Sequence, residues 1–386
     1  MIDRIVSLPE QGSFFLLGPR QTGKSTLIDA RFVRRTWKLD LLLSENFFTY
    51  SKDPALFRRE ALEKLNSGQI DTIFIDEIQR VPMLLNEIHF LMQQHPGCRF
   101  VLTGSSARKL RRGGVNLLAG RAVERRLFPF VYEEISDDFN LDEALLFGTL
   151  PPLLGRDREE KRDILEAYVH TYLQTEIQSE GIARNLGGFS RFLDMAASQF
   201  GELLNYTAIG RECGLPTRTV QSYYEILADT LIGFRLEPYR RSTRKRLRAH
   251  PKFYFFDNGV VNAINRSLTG GLTPFIRGKL FEHFIVLETY RNLHYSRSEA
   301  RLYFWRTNHG AEVDLLIEIH GKIMAAIEIK WSPRVSGADL SGINAFRQEH
   351  ASVPCYLVST VENAFDLQGV KILPWQEFVA RLDAWL

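Results

Sequence analysis

The sequence predicts a multidomain α/β protein whose first domain is built on a parallel sheet, and three observations carry that expectation. Its 386 residues divide into two or three domains at about 150 residues each. An apolar, strand-like run, Ser13 to Leu17, feeds straight into a glycine-bearing loop and then a helix-like stretch. Towards the other end, an amphipathic helix from Ile276 to Asn292 precedes three extended segments, Arg301 to Arg306, Ala311 to Ile319 and Lys322 to Lys330.

Composition narrows the function classes. Apolar residues make up 45% and charged residues 25% of the chain, which excludes a disordered or fibrous protein. Lys and Arg total 49 against 46 Asp and Glu, so the net charge of +3 does not by itself call for nucleic acid; local clustering must decide. Cys98, Cys213 and Cys355 are far apart, which supports neither a disulfide framework nor a zinc module and fits a reducing compartment. No window reaches the ~20 apolar residues that span a bilayer, and the N-terminus has no signal-peptide core, so a cytoplasmic protein without membrane contact is expected.

The loop reads Gly18-Pro19-Arg20-Gln21-Thr22-Gly23-Lys24-Ser25, followed by Thr26 at the start of the helix. Between a strand and a helix, this Walker A pattern exposes consecutive backbone N–H groups and a helix N-terminus to anionic oxygens. Gly18 and Gly23 permit the close approach, Lys24 is placed to reach the β- and γ-phosphates, and Ser25 to reach Mg²⁺. The cofactors expected are therefore ATP and Mg²⁺. A second buried-strand run, Thr72 to Ile75, ends in Asp76-Glu77, a metal carboxylate followed by a base that can polarise water.

A third run, Arg99 to Leu102, ends in Thr103-Gly104-Ser105-Ser106. Here the sequence resembles the AAA+ family of P-loop ATPases. The resemblance implies that Thr103, or alternatively Ser105, senses the γ-phosphate. It also implies a ring in which an arginine, Arg121 or else Arg125 of the segment Leu117 to Phe130, acts on the neighbouring subunit's nucleotide.

The middle of the chain reads as mostly helical from 136 to 200, suiting a helical lid. Tyr206 to Gly214 and Leu215 to Leu227 read as a helix-turn-helix with Arg218, Gln221 and Ser222 facing outward. Two strands around Arg240, Arg241, Arg244, Lys245, Arg246 and Arg248 complete the layout of a winged helix with a basic wing, placed to neutralise DNA phosphates.

In the last segments, Glu282 lies on the helix, and Asp314, Glu328 and Lys330 lie on the strands. Metal-dependent phosphodiester cleavage needs two or three oxygen ligands on Mg²⁺ and a nearby cation. The set resembles the PD-(D/E)XK nuclease superfamily, which implies Glu282, Asp314 and Glu328 as metal ligands and Lys330 as the catalytic lysine, with cleavage itself left open. Strand alternation sets a condition: Asp314 joins the face of Glu328 and Lys330 only if the hairpin has a bulge or a loop of odd length, such as His320 to Lys322.

Taken together, these segments resemble a widespread prokaryotic family of AAA+ ATPases with a C-terminal PD-(D/E)XK-like domain of uncharacterised role. The expected domains are an ATPase core (1–135), a helical lid (136–200), a winged helix (201–260) and a nuclease-like α/β domain (261–386). Where that family tends to read Gly-Gly-Phe-Pro, this chain has Gly148-Thr149-Leu150-Pro151. The function implied is an oligomeric ATP-driven machine acting on DNA. The alternative is an ATP-dependent switch that binds a protein partner through an inactive nuclease fold. A standalone endonuclease with a regulatory P-loop is a third reading.

Overall fold

The structure, a computed structural model, describes residues 2–105, 118–173, 186–239 and 250–385. The chain divides into two compact units. One is Arg4–Phe128 with Asp229–Ile232; the other is chiefly Pro129–Ala228 with Gly233–Leu386.

In the N-terminal unit, β1 (Ser13–Leu17), β2 (Thr36–Asp40), β3 (Thr72–Asp76), β4 (Arg99–Gly104) and β5 (Ala122–Arg126) form a sheet in the order β2-β3-β4-β1-β5. Every pairing is parallel. β1 and β3 are buried along their whole length, as expected of parallel strands covered on both faces, and Phe14 to Leu17 and Ile73 to Ile75 are continuous apolar runs for that reason. Phe15, Leu17, Ile73, Ile75, Phe100 and Leu102 pack into one core with Leu84, Ile88 and Leu91 of the helix Leu84–Gln94. Because β4 lies between β1 and β3, the carboxyl ends of these three strands form one rim, where ligands bind in open parallel sheets.

The second unit is built on a mixed sheet of β6 (Gly233–Pro238), β7 (Lys252–Phe255), β8 (Arg301–Arg306), β9 (Glu312–Ile319), β10 (Lys322–Lys330), β11 (Cys355–Ser359), β12 (Phe365–Leu367) and β13 (Val370–Pro374). Their order is β12-β13-β11-β10-β9-β8-β6-β7. β6 runs parallel to β8, Glu237 opposite Tyr303, and Tyr239 N–H donates to the Phe304 carbonyl at 2.6 Å. The strands expected to form a separate wing therefore extend the same sheet as the C-terminal strands, and the boundary expected at 260 falls inside one compact unit.

The hairpin meets the alternation condition with a bulge. Ile319 pairs with Lys322 across a two-residue turn at His320 and Gly321, both at positive φ (51° and 83°). The register then shifts between Ile323 and Ala325, so that Ile327 faces Leu315 and the next step brings Glu328 abreast of Asp314. The odd-length loop offered as the other solution is not used.

Helices Leu141–Phe147, Arg158–Ala167 and Leu186–Ser198 fall in the stretch expected to be helical. Asp157 opens the second with a capping box: its carboxylate accepts from Glu160 N–H at 2.9 Å, and Glu160 accepts from Asp157 N–H at 3.3 Å. Helices Tyr206–Cys213 and Thr217–Asp229 form the expected pair, Gly214 ending the first at φ 66°. Arg218 and Gln221 are exposed and Ser222 is half-buried. The basic residues Arg240 to Arg248 lie outside the described residues.

A buried arginine ties distant segments of this unit together. Arg291, on the helix Pro274–Tyr295, donates to the carbonyls of Phe130 (2.8 Å) and Phe256 (2.9 Å) and to Thr149 Oγ1 (3.1 Å). It faces Asp257 at 3.8 Å and Glu288 at 3.6 Å. Asp257 in turn accepts from Thr149 N–H at 2.9 Å, and a Cβ on Gly148 would lie 1.9 Å from Asp257 Oδ1, so the turn after Phe147 requires glycine there.

Candidate functional site

The glycine loop leaves β1 against the end of β4: Gly18 N–H donates to the Gly104 carbonyl at 3.1 Å. A Cβ at Gly18 would lie 2.1 Å from the Leu127 carbonyl oxygen, so this position must be glycine for the backbone to pass. Gln21 (φ 62°) and Gly23 (φ 89°) turn the chain into the helix Lys24–Arg31. Arg4 braces the loop from outside by donating to the Thr22 carbonyl at 2.8 Å. Lys24 Nζ donates to the carbonyls of Gly18 (2.9 Å) and Pro19 (2.8 Å), folded back over the loop.

From there a chain of hydrogen bonds crosses the rim. Ser25 Oγ donates to Asp76 Oδ2 at 2.6 Å, and Thr103 Oγ1 donates to Asp76 Oδ1. Thr103 Oγ1 also accepts from Glu77 N–H at 3.2 Å. Gln79 Nε2 donates both to Glu77 Oε2 and to Ser105 Oγ, the latter at 3.0 Å. Glu77 sits at φ 58°, an uncommon conformation for a side-chain-bearing residue, and is buried together with Asp76 and Thr103. Ser25, Asp76, Glu77, Thr103 and Ser105, expected from sequence to act together, thus lie in one connected network. An ammonium, a hydroxyl beside a carboxylate, and turned backbone at a helix N-terminus are the donor set that a nucleoside triphosphate with Mg²⁺ requires. Arg121 is exposed and hydrogen-bonded to His89 Nε2; Arg125 donates to the Ser7 and Glu124 carbonyls, at 3.1 and 2.9 Å.

The second acidic group forms in the C-terminal unit, where Glu282, Asp314, Glu328 and Lys330 come together as the resemblance implied. Glu312 and Lys252 join them. Lys252 Nζ, on β7, is 3.3 Å from Glu282 Oε1 and 2.5 Å from Glu312 Oε1. Tyr254 donates its hydroxyl to Glu282 Oε1 at 2.7 Å. Asp314 Oδ2 accepts from Ile329 N–H at 2.8 Å, and Lys330 Nζ pairs with Glu328 Oε1 at 2.8 Å. Burial, then the charges of Glu328 and Glu282, push Asp314 well above the usual carboxylate range. Burial raises Glu328 as well, against the pull of Lys330. Burial alone would lower Lys252, but Glu282, Tyr254, Asp314 and Glu312 outweigh it and hold its ammonium well above its ordinary value. Among the described residues, no three His, Cys, Asp or Glu side chains are disposed to hold a metal ion.

Residues 10–136 match the model of the AAA domain. The N-terminal unit is AAA-like. The rest of the chain matches two domains of unknown function, DUF8612 over residues 138–269 and DUF4143 over residues 277–378. Uncharacterized proteins of Mycobacterium tuberculosis and Mycobacterium bovis are each 29% identical over 314 residues, covering 80% of this chain and 68% of theirs. An uncharacterized protein of Haemophilus influenzae is 24% identical over 63% of this chain and 66% of its own. Among solved structures, domain III of the Thermotoga maritima replication initiation protein DnaA aligns over 56% of this chain and 84% of its own, at 14% identity and a TM-score of 0.23. A replication initiator DnaA bound to AMPPCP and single-stranded DNA aligns over 56% and 82%, at 11% identity and a TM-score of 0.25.

Gln79, Lys252, Tyr254 and Glu312 were not among the site residues read from the sequence. In the AAA-like unit, Gln79 bridges the strand-end glutamate to Ser105; it follows Glu77 by two positions, which is the only trace it leaves in sequence. In the C-terminal unit, Lys252 is 3% exposed in an aromatic strand, Lys252-Phe253-Tyr254-Phe255, where a lone lysine is a signal of a buried counter-charge.

Proposed function

We propose that this chain is an oligomeric, ATP-hydrolysing machine that acts on DNA, the AAA-like unit supplying turnover and the C-terminal unit the nucleic-acid surface. The observation that carries the reading is the unbroken hydrogen-bond chain from Ser25 through Asp76 and Thr103 to Glu77 at the end of three parallel strands. In this reading Gly18, Pro19, Arg20, Gln21, Thr22, Gly23 and Thr26 wrap the phosphates, and Lys24 exchanges the carbonyls of Gly18 and Pro19 for β- and γ-oxygens. Ser25 and Asp76 would hold Mg²⁺, whose charge offsets that of the phosphates. Glu77 takes a proton from the attacking water, Thr103 or Ser105 fixes its direction, and Arg121, exposed on its own unit, acts on a neighbouring subunit's nucleotide. Arg218 and Gln221 on the second helix of the helix pair, with the basic run Arg240 to Arg248, supply the DNA contact.

The experiment is ATP turnover by wild type and Glu77→Gln, with and without single-stranded, duplex and branched DNA across a salt series. The reading expects DNA-stimulated turnover in wild type only, together with salt-sensitive DNA binding. Turnover indifferent to every DNA, with no such binding, would remove it.

One observation favours the second reading, an ATP-dependent switch docking a protein partner. Lys252, Lys279, Arg306 and Lys330 line the C-terminal cleft, and each already meets a carboxylate. A partner retained only in the ATP state, with function indifferent to Asp314→Ala and Lys330→Ala, would select it.

A further inference from the structure

The C-terminal cleft, about 660 Å³, opens over the acidic group just described and is lined by Lys252, Lys279, Glu282, Arg306, Glu312 and Lys330 among others. The carboxylates do not fit a divalent metal as they stand: a protein donor already holds at least one oxygen of each, and among the described residues they form no group able to hold a metal ion. Glu312 gives one oxygen to Lys252 (2.5 Å) and the other to Arg306 (2.7 Å). Glu282 Oε1 receives Lys252 and the Tyr254 hydroxyl. Asp314 Oδ2 is taken by the Ile329 amide, and Glu328 Oε1 by Lys330. Glu328 Oε2 is buried without a hydrogen-bond partner, but among the described residues no three acidic side chains are disposed to hold a metal ion together.

Lys252 is what makes this arrangement possible. Its ammonium is buried on β7, the last strand of the sheet, and reaches across to a carboxylate of the helix and one of β9. Buried carboxylates need a cation, and a tethered ammonium supplies one that cannot dissociate and that repels a second.

We propose that Lys252 is the resident cation of this cluster, its ammonium standing where a divalent metal would otherwise sit, so that the C-terminal domain keeps nuclease-like carboxylates without metal-dependent cleavage. The inference does not rest on the nucleotide site.

The test is Mn²⁺ titration of the nucleotide-free full chain, followed by the electron paramagnetic resonance signal of unbound Mn²⁺. Wild type and Asp314→Asn should titrate alike. Lys252→Met, which keeps an unbranched side chain one atom shorter and removes its charge, should gain a saturable site at least tenfold tighter than any in wild type, and Lys252→Met/Asp314→Asn should lose it. A saturable wild-type site removed by Asp314→Asn would overturn the proposal, as would a folded Lys252→Met that binds no more tightly than wild type. If Lys252→Met does not fold, the comparison of wild type with Asp314→Asn decides alone. Plasmid nicking with Mg²⁺ or Mn²⁺ gives a second readout: none is expected from wild type, and nicking abolished by Asp314→Asn would also overturn the proposal.

Discussion

Ser25 Oγ donates to Asp76 Oδ2 at 2.6 Å, although the two residues are 51 positions apart and the strands that precede them, β1 and β3, are separated by β4. The same carboxylate accepts from Thr103, so one group fixes the first helix, β3 and β4 at a shared rim.

Asp76→Ala removes the acceptor of both hydroxyls. ATP affinity in the presence of Mg²⁺ should fall by at least about tenfold and turnover by at least about a hundredfold, the scale for losing a metal-orienting group. Calorimetry with and without Mg²⁺ checks this: the variant should lose the dependence on the ion.

Glu77→Gln and Gln79→Leu should separate two roles. The first removes the proposed base and should lower turnover by about 10²–10⁴ with nucleotide affinity kept. The second leaves Glu77 chemically intact but without its tether to Ser105, and should lower kcat by about tenfold with KM unchanged. Equal loss in KM would mean that Gln79 shapes binding instead.

Gly18→Ala places a methyl 2.1 Å from the Leu127 carbonyl oxygen, which is backbone and cannot swing aside. We expect a loss of about 2–4 kcal/mol in stability together with loss of ATP binding, seen as a lower Tm that ATP no longer raises.

Arg291→Met leaves Asp257 and Glu288 buried with no cation opposite them and frees the carbonyls of Phe130 and Phe256. Breaking a buried pair in this way costs about 3–5 kcal/mol, so the thermal transition should fall sharply, and Arg291→Lys should recover only part of the loss.

Glu288 is fully buried, and burial raises its carboxyl to about 7, against the opposing pull of Arg291. A raised carboxyl binds its proton more strongly in the folded than in the unfolded chain, so its contribution to stability is present at low pH and is lost as pH rises from the ordinary carboxylate range through about 7. His283 works the other way. Burial lowers its imidazole to about 3, so its contribution is full above the ordinary histidine value and is lost as pH falls towards 3. Glu288→Gln should therefore steepen the rise of Tm with pH across the weakly acidic range, and a profile parallel to wild type would refute the assignment.

The candidate nucleotide site was legible because its chemistry is local. Gly18 to Ser25 lie on one turn, and Asp76-Glu77 and Thr103 each end an apolar run, so strand, loop and acid could be placed without knowing the sheet order. Of the C-terminal acids, Glu328 was legible from its two-residue spacing to Lys330, and Glu282 and Asp314 through the resemblance that this pair completed. The bulge after Ile323 was legible only as a condition, since strand periodicity states that a register must shift but not where.

What the sequence determined by itself is the set of short-range patterns: which runs are buried strands, where the backbone must be glycine, and which polar groups follow each strand. Tertiary structure alone decided that β6 and β7 extend the C-terminal sheet, that Arg291 gathers Thr149, Phe130 and Phe256, and that Lys252 faces Glu282 and Glu312. Pairings of that kind depend on strand order and on which buried charge finds its counter-ion across the sheet, and neither depends on separation along the chain.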